Sequence, residues 1–90
     1  MFKRGEDTIL DEAKKHIAKT YDGHYVNDYN IQAIDLWEAQ GSLLTTARDN
    51  TEKYLMRFGK KDGYNIADMY KAIHYITLMI HCAEKAKKKK

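Results

Sequence analysis

A chain of 90 residues with a formal charge of +3 is long enough for one small domain and too short for two. It holds no run of 18 apolar residues, and no apolar stretch follows the charged start Met1–Asp7, so neither a membrane span nor a signal peptide is expected. A single cysteine, Cys82, excludes an internal disulfide and suits a reducing cytosol; without the four lysines at 87–90 the net charge is −1, so the body lacks the basic excess of a surface that grips long nucleic acid.

There is no proline, helix formers are abundant, and β-branched clusters are short, which predicts an all-α fold. The first helix is expected over about Thr8 to Tyr21, capped by Asp7 or Thr8, with Leu10, Ala13, Ile17 and Tyr21 as its apolar stripe. Asp22-Gly23 stops it and opens a polar, aromatic loop over 22–30. A second helix runs from about Ile31 to Gln40, between Asn30 as cap and Gly41 as terminator.

A third helix opens after Ser42 and ends near Gly59, with Leu44, Ala47, Thr51, Tyr54, Leu55 and Phe58 as its buried stripe. The fourth opens after Asn65 and reaches about Lys85, with Ile66, Met69, Tyr70, Ile73, Ile76, Ile80 and Ala83 at three- and four-residue steps. The architecture predicted is one bundle of about four helices over residues 1–86, the last two forming a long antiparallel hairpin, followed by a disordered lysine tail at 87–90. From Tyr75 to Ala83 the fourth helix is apolar on every face. In so short a chain that predicts cover by a second copy, hence a homo-oligomer; a buried central helix in a monomer is the rival reading.

Chemistry concentrates at the hairpin. Asn50, Lys53 and Arg57 share one face of the third helix, and Asp68, Lys71 and Tyr75 one face of the fourth. Antiparallel packing brings Arg57 toward Asp68 and Lys71, with Lys60 and Lys61 in the connection. Such a group suits a phosphate: a guanidinium fork, ammonium point charges and the free N–H groups of a helix start near Asn65. The plainer reading is a solvated charged face with Asp68 pairing Arg57. The loop aromatics Tyr25 and Tyr29 could stack on a base, and His24 could meet a phosphate or move a proton, unless the rings simply cover the core. No Walker or dinucleotide glycine motif occurs, His16, His24, His74 and His81 lack zinc-site spacing, and Cys82 reads as an inert thiol in an apolar run. Asp35, Glu38, Asp49 and Glu52 could lend carboxylates to magnesium, but no paired-acid helix pattern is present and no dedicated metal site is expected.

In order along the chain stand His24-Tyr25, Ile31-Gln32-Ala33-Ile34-Asp35, Asp49-Asn50, Lys53-Tyr54, Arg57, Lys60-Lys61, Gly63, Asp68, Lys71-Ala72 and Tyr75. This series resembles a small domain of unknown function carried by tailed phages and prophages, sometimes labelled SaV-like, over about residues 24–80. That family reads His-Tyr, Ile-x-Pro-Ile-Glu, Gly-Asn-x-x-Lys-Tyr-x-x-Arg, Lys, and Glu-Asp-Leu-x-Lys-Ala-x-x-Tyr. Here Ala33 stands for the proline, Asp35 for the glutamate, Asp49 for the glycine, Ala67 for the acid and Met69 for the leucine.

The family includes an oligomeric phage nucleotide kinase without a P-loop that phosphorylates deoxynucleoside monophosphates. The resemblance therefore implies a nucleotide-binding phage protein of the host cytosol with a kinase-like activity. His24, Arg57 and Asp68 would be catalytic. Tyr25, Asn50, Lys53, Lys60, Lys61, Lys71 and Tyr75 would bind nucleotide, with Mg²⁺ arriving on it. The alternative is a non-catalytic phage protein that sequesters a nucleotide signal or binds and inhibits a host factor. Neither a membrane nor nucleic acid is an expected partner.

Overall fold

The computed structural model describes residues 1–21, 29–60 and 63–88, with side chains given from Ala33 onward in the middle stretch. Four helices follow one another: α1 Glu6–Lys19, α2 Tyr29–Ala39, α3 Leu43–Arg57 and α4 Ile66–Lys88. Among the described residues there are no strands, only an isolated bridge between Lys60 and Gly63, so the expected all-α bundle is the fold.

α1 starts two residues before the expected Thr8. Gly5 precedes it without a side-chain cap, and Glu6 and Asp7 occupy the positive end of the helix. The Glu6 carboxylate accepts the Arg4 amide at 2.8 Å. At the other end Thr20 Oγ1 donates to the Ile17 carbonyl at 2.7 Å. The expected stop at Asp22-Gly23 and most of the 22–30 loop lie outside the described residues, but residues 29 and 30 belong to α2.

α2 ends as its glycine requires. Gly41 adopts φ +77°, its amide donates to the Glu38 carbonyl at 3.1 Å, and the Ser42 amide reaches Trp37 at 2.9 Å. This is the paired closure that only a left-handed residue permits. Ser42 then precedes α3 without capping it; its hydroxyl donates back to the Trp37 carbonyl at 3.4 Å.

α3 against α4 is the most extensive helix pair. Its antiparallel register is read from Arg57 beside Asp68, Tyr54 on Tyr75, and Thr51 against Met79. α3 buries Leu43, Ala47 and Thr51, and α4 buries Asp68 and Ala72; with Ala13 of α1 these are the buried residues among those described. The stripes expected from sequence are corrected here. Leu43 is buried rather than Leu44, and Leu44, Leu55, Ile66, Ile76, Ile80 and Ala83 are exposed. The reason is length: 23 residues make α4 about 34 Å long, more than its neighbours cover. It also runs three residues past the expected end, so Lys87 and Lys88 are helical.

The connection between α3 and α4 is tight. The Gly59 amide donates to the Gly63 carbonyl at 2.8 Å, and the Lys60 amide to Arg57 at 2.9 Å. Phe58 and Tyr64 meet edge to face at 5.2 Å. Asn65 Oδ1 accepts the Ala67 amide at 3.0 Å and so opens α4. α2 is fixed to α4 by one carboxylate, Glu38, which accepts from His81 at 2.6 Å and lies 3.5 Å from Lys85.

Candidate functional site

The hairpin brings its cations to one ring. Lys53 Nζ lies 4.7 Å from the Tyr54 ring centre, Lys71 Nζ 5.5 Å and the Arg57 guanidinium carbon 5.7 Å. Two of these side chains come from α3 and one from α4, so it is the antiparallel register that assembles them. Attraction between a cation and an aromatic face is worth about 0.5–1 kcal/mol at an exposed site. The ring orients the side chains and, being uncharged, adds no counter-charge of its own. Tyr54 is held in turn against Tyr75, the rings nearly parallel at 6.1 Å, and burial pushes the Tyr75 hydroxyl pKa up, with Tyr54 adding to the effect.

Arg57 is held from behind. Its Nε lies 3.6 Å from the Asp68 carboxylate, which is 2% exposed. That burial settles what Asp68 does in this geometry: it fixes Arg57 and does not face a solvent-borne metal. Lys53, Arg57 and Lys60 line an open groove of about 550 Å³ along α3, together with Asp49, Glu52 and Met56. Asn50 points elsewhere, its amide donating to the Thr46 carbonyl at 2.9 Å on its own helix. His24, Tyr25 and Lys61 lie outside the described residues.

Magnesium arriving on a nucleotide needs only one or two protein carboxylates, the phosphates and water supplying the rest. Asp49 and Glu52 of the groove fit that requirement. Glu38 does not, being engaged by His81 and Lys85. Among the described residues no three His, Cys, Asp or Glu side chains cluster as a metal cage.

A second, more enclosed feature was not apparent from sequence. His16 and Thr20 of the α1 end, Ile34 of α2, Tyr54 of α3, and Lys71, His74 and Tyr75 of α4 line a cleft of about 190 Å³. His16 leans on Tyr70 with ring centres 5.5 Å apart, and His74 Nε2 lies 3.2 Å from the Tyr21 hydroxyl. Burial, with the charges of Lys71 and Lys19, pushes the His16 pKa below 6.5; burial and His16 do the same to His74. Spacing along α4 did place Lys71 and Tyr75 on one face, without His74. Nothing in the chain said that α1 would close over it.

The fold and site thus define an all-α protein whose helical hairpin gathers three cations at one tyrosine ring, beside an open groove lined by charged side chains. Residues 19–77 match the model of a family described as protein of unknown function, DUF3310, and the chain belongs to that family. The match takes in Lys53, Arg57, Asp68, Lys71 and Tyr75 and stops short of His16. No curated protein and no solved structure matches the chain.

Proposed function

We propose that this protein binds a nucleotide through its phosphates at Lys53, Arg57 and Lys71. The observation that supports the reading is the gathering of three cations from two helices at the Tyr54 ring, with Arg57 anchored on a buried carboxylate. A bidentate guanidinium flanked by point charges is what a multiply charged phosphate chain takes, and Tyr54 gives the cations a common floor.

The resemblance to a domain family that includes a phage nucleotide kinase extends the reading to phosphoryl transfer between a nucleoside triphosphate and a deoxynucleoside monophosphate. The bond from the γ-phosphorus to its bridging oxygen would break. A bond would form to a terminal oxygen of the monophosphate, giving two diphosphates. Such a step needs alignment and charge neutralisation more than covalent chemistry. Lys53, Arg57 and Lys71 would supply the neutralisation, and Asp49 and Glu52 would steady the magnesium of the triphosphate.

Calorimetry with nucleoside mono- and triphosphates tests the binding step. Lys53→Ala and Arg57→Ala are each expected to weaken affinity about tenfold or more, the worth of one charge-assisted contact. Lys53 is exposed, so Lys53→Ala should leave the melting midpoint unchanged, whereas Arg57→Ala strands the buried Asp68 and lowers it. Unchanged affinity in both variants refutes the reading. Separating the products of a mono- and triphosphate mixture tests turnover; stoichiometric capture without diphosphate formation favours a protein that only sequesters its ligand.

A further inference from the structure

The groove over α3 and the enclosed cleft are two different surfaces with no lining residue in common; they meet at Tyr54, which lines the cleft and lies under Lys53 and Arg57 of the groove. The groove is open and charged. The cleft, at about 190 Å³, lies below the roughly 300–1,000 Å³ of sites that swallow a whole small ligand. It has room for one planar fragment. Tyr54 and Tyr75 form a near-parallel aromatic wall on one side and Ile34 an aliphatic one. His16 Nδ1 is buried and makes no hydrogen bond among the described residues, and His74 Nε2 holds only the Tyr21 hydroxyl.

Resting on the nucleotide reading above, we propose that this cleft takes a planar nitrogen heterocycle, the base of the same nucleotide, between the tyrosine wall and the two imidazoles. The phosphates stay outside, at Lys53 and Arg57, and Lys71 stands at the corner between base and phosphate. An uncharged imidazole both donates and accepts a hydrogen bond, as the edge of a base does. Groups facing the two histidines are Tyr70, Lys71 and Tyr75 of α4, Lys19 and Tyr21 of the α1 end, and each other. No described carboxylate is among them to fix either ring as a cation. A phosphate would instead have to shed its water in a cleft with one ammonium at its rim, while the open groove offers three cations.

The test uses the full chain and three probes: nucleosides, the common ribo- and deoxynucleoside monophosphates, and inorganic pyrophosphate. A nucleoside is expected to shift the ring C–H resonances of His16 and His74. A monophosphate should do the same and bind about tenfold or more tighter than phosphate contacts alone allow, since stacking one base is worth about 1–3 kcal/mol. Ile34→Trp fills the cleft and should remove that advantage while pyrophosphate affinity stays within about twofold. Should Ile34→Trp fail to fold, the histidine resonances of the natural protein decide the matter. If monophosphates bind no better than pyrophosphate and both histidines stay still, the base site is wrong and the phosphate site survives. If pyrophosphate and every monophosphate fail to bind, both readings fall.

Discussion

Lys53, Arg57 and Lys71 behave as one group only because of residues that carry no charge to the ligand. Tyr54 gives them a shared face, and Asp68 holds Arg57 by its Nε. Spacing in the sequence was enough to place the three on adjoining faces, because a short connection forces neighbouring helices to run antiparallel. It was not enough to assign Asp68, since a first-turn acid on a helix is usually exposed, and only the packing of α3 buries this one. The imidazoles of the cleft make a prediction about pH. Burial holds His16 and His74 below the ordinary value of 6.5. Below about that pH the unfolded chain takes up protons that the folded one resists, so the fold loses stability as pH falls from there toward the lowered folded values. The melting midpoint should decline between pH 7.5 and 5.5, and less steeply in His74→Gln. Glu38, held below 4.5 chiefly by its hydrogen bond to His81, adds its own loss only at lower pH, as protonation reaches it. A flat profile in the natural protein would contradict this account of the two rings.

At the scale of elements, the α3–α4 turn fixes the register on which the cation cluster depends. Gly59 sits at φ +86°, and a Cβ there would come within 2.9 Å of the Tyr64 ring. Gly41 has a similar φ of +77° and nothing within 4 Å. Left-handed backbone costs a side-chain residue about 1–2 kcal/mol. Gly41→Ala should therefore lower stability by about that much, and Gly59→Ala by more, because Tyr64 must also leave its contact with Phe58. In a domain of this size each kcal/mol is worth about 4–8 °C in the melting midpoint, so calorimetric scans resolve the two. Equal losses would mean that the aromatic contact contributes nothing. Helix existence and the stops at Gly41 and Gly59 were legible because glycine in those contexts has few other uses. The buried stripes were not. Periodicity names the apolar positions of α3 and α4, but which of them a partner helix covers is decided by crossing geometry; hence Leu43 is inside and Leu44 outside.

Across the whole molecule the chain exposes 7062 Å², where a folded monomer of 10.5 kDa is expected to expose about 5,400 Å². Its radius of gyration is 14.4 Å, against about 12 Å for a compact chain of this length. The excess is more than the roughly 800 Å² that one partner contributes to a standard interface. An apolar groove between α3 and α4, bounded by Leu44, Ile76, Met79, Ile80 and Ala83 and rimmed by Arg48 and Glu52, offers opposite charges that a two-fold axis would pair. Sedimentation velocity at tens of micromolar is expected to give a mass that is a multiple of 10.5 kDa, and Ile80→Glu to return the monomer. A monomeric natural protein would end the oligomer reading without touching the phosphate site, whose groove has only Glu52 in common with this one.

The dominance of the α3–α4 hairpin carries over into how the protein is made. Its contacts join segments that are neighbours along the chain, so their closure is quick, while α1 must return across the length of the molecule to reach α4. The cationic floor would then form early and the cleft only when the first helix docks. Refolding followed at Trp37, which lies outside that hairpin, should lag behind the recovery of helical signal.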